Sequence, residues 1–163
     1  MWDRAFLEQA RSDWDAREIV RSKPCAACHE LHYLQMAAEK LGKAVLLRSG
    51  TPPDEVNSTH KTFVRFLKVA PRHPGLQEAS GKSARQLREY VATLSPIADQ
   101  IERLAPALAQ SGPNAEYPWR TPSGAIVAPA SYEFTIARDL QEPHGRKLLA
   151  LLELILEQFD GLF

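Results

Sequence analysis

At 163 residues the chain lies within the one-domain range, long enough to bury roughly 70% of its unfolded surface around one core. Its 44% hydrophobic and 25% charged residues exclude a disordered or fibrous protein, and a formal net charge of zero leaves any nucleic-acid or membrane binding to a local patch. The opening Met1–Phe6 lacks the basic start and apolar run of a signal peptide, and no stretch approaches the roughly 18 apolar residues of a membrane span, so a cytoplasmic protein without membrane association is expected.

Trp2, Phe6, Ala10 and Trp14 recur every four residues and predict a helix over about 3–21. Lys23-Pro24 ends it, because the residue before proline is pushed out of the α region. A second helix is expected over 25–48, with Cys28, Leu31, Leu34, Ala38, Leu41, Val45 and Leu46 on its buried side and Gly50 as its stop. A polar loop over 50–57 leads to Ser58, the expected cap of a third helix carrying Phe63, Phe66, Leu67 and Ala70 and closed by Pro71 and Pro74. The fourth begins near Ser83 with Leu87, Tyr90, Val91 and Leu94. Pro96 is expected to kink or split it before Ile97, Ile101, Leu104 and Leu108 continue the pattern.

Residues 111–130 are the least regular. There Tyr117–Arg120 and Ala125–Ala128 flank Thr121-Pro122-Ser123-Gly124, a small β-hairpin or an ordered loop. Helices over about 131–140 and 143–159 finish the chain. The expected fold is all-α: one domain over residues 1–163, an antiparallel bundle of five to six helices with a long loop or small hairpin before the last two.

Cys25-Ala26-Ala27-Cys28-His29 matches the C-x-x-C-H pattern of covalent haem attachment. No export signal accompanies it, and Met36, the only internal methionine, lies on the same predicted helix, so no cofactor is expected. Cys25, Cys28, His29 and His32 would share one helix face, but the first and last are then about 10 Å apart along the axis, too far for one tetrahedral zinc. Cys28 and His32 offer at most half a site, and no second Cys/His cluster supplies the rest. The expectation is no metal, with both cysteines packed as small hydrophobes.

The second helix continues as His32-Tyr33-Leu34-Gln35-Met36-Ala37-Ala38-Glu39-Lys40-Leu41-Gly42-Lys43-Ala44, and Thr59-His60 precedes the next. An aromatic/His pair, a Gln, an A-x-E-K-x-x-K-A stretch and a downstream Thr-His pair resemble the HEPN (higher eukaryotes and prokaryotes nucleotide-binding) family over about residues 5–120. The resemblance implies a bundle of four or five helices, a homodimer, and a nucleotide- or RNA-binding role in a prokaryotic defence or toxin–antitoxin-type system. Some members accompany a nucleotidyltransferase partner.

Other members are metal-independent ribonucleases whose Arg and His, four to six residues apart, line a cleft shared by two copies. Here Arg138-Asp139-Leu140-Gln141-Glu142-Pro143-His144 has that spacing. His144 would move the 2′-hydroxyl proton or protonate the leaving oxygen, and Arg138 would hold the phosphate. Pro143 is expected to place the pair on different elements, in acidic surroundings. Where many relatives read Arg-Tyr-Pro, this chain reads Glu116-Tyr117-Pro118, a carboxylate in place of a phosphate-facing arginine. Three functions follow: a nucleotide or RNA binder, an endoribonuclease using Arg138 and His144, or a non-catalytic scaffold for a partner protein.

Independently of the family, Lys61, Arg65, Lys68 and Arg72 are spaced 4, 3 and 4, stacking them along one stripe of the third helix as a phosphate-binding surface, with His60 at its start. Lys40 and Lys43 are further binding candidates. The plainer reading of Glu39, Lys40 and Lys43 is a solvated, ion-paired helix face. Tyr117 and Trp119 in a proline-rich loop either stack on a base, seal a dimer interface or pin the loop to the core.

Overall fold

The computed structural model describes residues 1–109 and 112–163. Its elements are α1 (Trp2–Arg21), α2 (Ala27–Arg48), α3 (Pro53–Asn57), α4 (Phe63–Val69), α5 (Pro74–Ser80), α6 (Ala84–Glu102), α7 (Pro106–Ala109), β1 (Trp119–Arg120), β2 (Ile126–Val127), α8 (Thr135–Asp139) and α9 (Pro143–Leu162). The fold is an all-α helical bundle. Four long helices carry it, and the short ones occupy stretches expected to be loops or parts of longer helices. No helix among the described residues is long and apolar enough to cross a membrane.

α1 and α2 form an antiparallel hairpin whose seam is partly ionic. Arg48 donates to Asp3 at 2.8 Å, Lys40 to Asp13 at 2.7 Å and Arg17 to Glu30 at 2.8 Å. One partner climbs the sequence as the other descends, as opposed chain directions require. Arg17 is almost fully buried, its guanidinium 4.8 Å from the Trp14 ring centre. Of the stripe predicted for α1, Ala10 and Trp14 face the core together with Leu7, and Phe6 packs against it, whereas Trp2 and Ile19 are exposed. Paired charges occupy inward positions that a purely apolar pattern assigns elsewhere.

α2 packs next against α4 and α6, and α6 also meets α8 and α9. Leu34, Leu41, Phe63, Phe66, Leu87, Leu94, Ile155 and Phe159 lie at the shared centre, each essentially inaccessible to solvent. Two close approaches fix this packing. A β-carbon on Gly42 of α2 would sit 2.8 Å from the Thr62 backbone, and one on Gly145 of α9 would collide with Asp139 and Leu140 at the end of α8.

Several boundaries differ from expectation. α2 starts at Ala27, not Cys25, because Pro24 and an extended Ala26 delay it. Cys25 is consequently off the helix and exposed, and only Cys28 packs in the core. Ser58 ends α3 instead of opening the third helix, and α4 begins at Phe63. Pro74 opens α5, which the sequence pattern missed. Ser83 and Gln86 form a reciprocal capping box at the start of α6.

Pro96 does not split that helix. Both Pro96 and Ala92, whose carbonyl loses its bond, lie on the exposed side, where water can satisfy the oxygen. The helix expected over 131–140 contracts to the five residues of α8. The hairpin alternative for the irregular segment holds, with Trp119 opposite Val127 and Arg120 opposite Ile126. Ser111, where that segment was expected to begin, lies outside the described residues.

Candidate functional site

Glu39 organises the segment that leads into α4. Its carboxylate accepts from Gln35 Nε2 at 3.0 Å, from Lys43 Nζ at 2.9 Å, and lies 3.2 Å from His60 Nδ1 through either oxygen. Burial pushes this carboxyl up, but the donors from Lys43, Gln35 and His60 outweigh it and hold the group below its ordinary range. The Thr62 hydroxyl donates to the Glu39 carbonyl at 2.9 Å. Thr62 is the residue before α4, yet its side chain is turned to α2 and cannot cap.

Glu102, arriving from the end of α6, caps instead. Its Oε1 accepts from the backbone N–H groups of Phe63 and Val64 at 3.0 and 3.2 Å. Burial raises the Glu102 carboxyl, against the pull of those two donors. Sequence reasoning missed this residue. The available signal was its position four residues after Ala98 on the apolar side of α6, where an acid needs partners.

These contacts set α4 against α6 and open a cleft of about 660 Å³ between them. Lys61, Arg65 and Lys68 line one side, and Asp99, Glu102 and Arg103 the other. Arg103 pairs with Asp99 at 2.8 Å and Arg65 with Glu55 of α3. Lys61 and Lys68 form no ion pair among the described residues and are exposed. Arg103 was not anticipated. Of the four-residue basic stripe, Lys61 lies before the helix and Arg72 ends the 3-10 turn that follows it, outside the lining of the cleft. The late start of α4 thus replaces one helical stripe with a cleft built by two helices.

The remaining candidates fall elsewhere. Lys40 is bound to Asp13, and Lys43 is buried, paired with Glu39 and 5.5 Å from the Phe6 ring centre. The face expected to be solvated is packed, because α1 and the Thr62 segment cover it; neither lysine projects freely for a ligand. His60 is half-exposed, with its Nδ1 side on Glu39. Trp119 is buried edge-on against Tyr132 and near Phe134, which pins the hairpin to the core. Tyr117 remains exposed.

Arg138 is exposed in α8 and nearest to its neighbour Asp139, at 4.0 Å. His144 is exposed in the first turn of α9. The two sit on successive elements with Pro143 between, and among the described residues no hydrogen bond or ion pair joins them. No group of three or more His, Cys, Asp or Glu side chains among the described residues is arranged to hold a metal ion.

No protein-family model, no curated protein and no solved structure matches the chain.

Proposed function

We propose that this is a HEPN-like nucleotide- or RNA-binding protein whose phosphate-binding surface is the cleft between α4 and α6. The observation that carries the reading is the pair of exposed lysines, Lys61 and Lys68, which form no ion pair among the described residues and stand on one wall of a cleft that also holds Arg65 and Arg103. Two exposed ammonium groups, in a concavity that concentrates their field, attract a polyanion although the whole chain is neutral. The carboxylates opposite disfavour indiscriminate anion binding and offer acceptors to ribose hydroxyls. Support for the HEPN-like assignment is spatial: the two sequence stretches behind the resemblance meet through Glu39, His60, Gly42 and Thr62.

A fluorescence-anisotropy titration with a short single-stranded RNA tests the proposal. Lys61→Glu combined with Lys68→Glu should weaken binding at least tenfold while leaving the circular-dichroism spectrum and unfolding midpoint in place, since both side chains are exposed. Undiminished RNA affinity in a folded double variant would retire the cleft as the binding surface.

A further inference from the structure

Capping α4 uses only half of the Glu102 carboxylate. The residue is 7% exposed, yet it lines the cleft beside Asp99 and Arg103. Both capping N–H groups, from Phe63 and Val64, donate to Oε1. Among the described residues no hydrogen bond or ion pair reaches Oε2, and that oxygen is not one of their fully buried unsatisfied atoms. Oε2 therefore keeps access to the cleft, an open acceptor in its wall.

A helix cap needs one acceptor oxygen, which a Ser, Thr or Asn next to the helix usually supplies. A carboxylate drawn from another helix brings a second, and withdrawing its charge from water is unfavourable. The surroundings define what the spare oxygen can meet. Asp99 is taken up by Arg103 at 2.8 Å. Burial raises the Glu102 carboxyl most, and the positive charge of Lys61 pulls it the other way, which sets the Lys61 ammonium near this acid. An anion-binding group and an open acceptor thus stand close together, with Arg65 and Lys68 continuing the cationic wall. In RNA the ribose 2′-hydroxyl sits on the carbon next to the one that carries the 3′-phosphate, so an anion and a neutral donor arrive as neighbours. DNA brings the anion alone.

We propose that Glu102 makes the cleft selective for RNA over DNA, its Oε2 accepting a hydrogen bond from a ribose 2′-hydroxyl whose neighbouring 3′-phosphate sits on Lys61. A DNA strand in the same place sets a methylene against Oε2, closing it off from water without a donor, the unfavourable state for a buried acceptor. This selection rests on the cleft being the phosphate-binding surface and adds which kind of strand fits it.

Anisotropy titrations with three single strands of one sequence test the proposal: RNA, DNA and 2′-O-methyl RNA, which keeps the sugar shape of RNA but has lost the donor. The native chain should bind RNA about tenfold more tightly than either of the others. Glu102→Gln retains an acceptor for the cap but turns an amide NH2 to the cleft, and should bring RNA to within about threefold of DNA. A role confined to capping would weaken both strands alike and leave their ratio in place. Equal native affinity for RNA and DNA, or for RNA and its 2′-O-methyl form, would overturn the proposal, as would an undiminished RNA preference in a Glu102→Gln variant of native circular dichroism. The cleft reading outlives that failure where Lys61→Glu/Lys68→Glu still abolishes binding. Strands that bind the lysine double variant as tightly as the native chain would sink both.

Discussion

Glu39 and Glu102 clasp the same five-residue segment, yet their titrations oppose one another. Glu102 has its carboxyl raised by burial, so the folded chain holds that proton more tightly than the unfolded chain does. Its effect on stability therefore declines as pH rises from the ordinary value of 4.5 through the raised one. Glu39 has its carboxyl lowered, and its contribution is complete above 4.5 and lost as pH falls through the folded value. Urea midpoints between pH 3 and 7, on the order of the carboxylate range, should show Glu39→Gln flattening the acid side of the stability profile. An unaltered profile would mean that the His60 and Lys43 contacts contribute nothing. Glu102→Ala leaves the Phe63 and Val64 N–H groups without acceptors and should cost about 1–3 kcal/mol in urea unfolding. Glu102→Gln, which keeps an acceptor oxygen, should recover most of that loss. Equal stabilities for the Ala and Gln variants would show that the cap is dispensable.

Between elements, close backbone approach matters more than propensity. Gly42→Ala should destabilise by about 1–3 kcal/mol, although alanine is the better helix former, because the added methyl meets the Thr62 backbone. A stabilised Gly42→Ala, measured in the same denaturation, would contradict this packing. Arg11 does comparable work between α1 and α9. It donates twice to the Leu156 carbonyl, at 2.8 and 2.6 Å, just before Gln158 leaves helical geometry and interrupts α9. Removing it as Arg11→Ala should speed amide exchange over the last turn of α9 without changing exchange in α2.

The long helices were legible because their apolar spacing and caps agree: α2 by its run from Leu31 to Leu46, α6 by Ser83 and its stripe. The late start of α4 was not, because the residue that caps it, Glu102, is 39 positions away in sequence. The ionic part of the α1–α2 seam was hidden for a similar reason. Asp13 and Arg17 look like surface residues until Lys40 and Glu30 are brought opposite them. Lys61, Arg65 and Lys68 were legible as a basic group, but their α6 counterpart, Arg103, belongs to no pattern within one helix.

At the scale of the whole molecule, formal neutrality conceals a division of charge between surfaces. The cleft presents Lys61 and Lys68, unpaired among the described residues, whereas the α1–α9 side carries Asp15, Glu18, Glu153 and Glu157 around Arg11. A polyanion should therefore bind in one orientation, from the α4–α6 side. Counterion release makes that binding measurable, since each phosphate contact to a single strand contributes about 0.7 to the slope of log affinity against log salt. The decisive measurement is that slope for single-stranded RNA with the native chain and with Lys61→Ala/Lys68→Ala. The cleft account predicts a decrease of about 1.4 in its magnitude for the folded double variant. An identical slope in both proteins would contradict it.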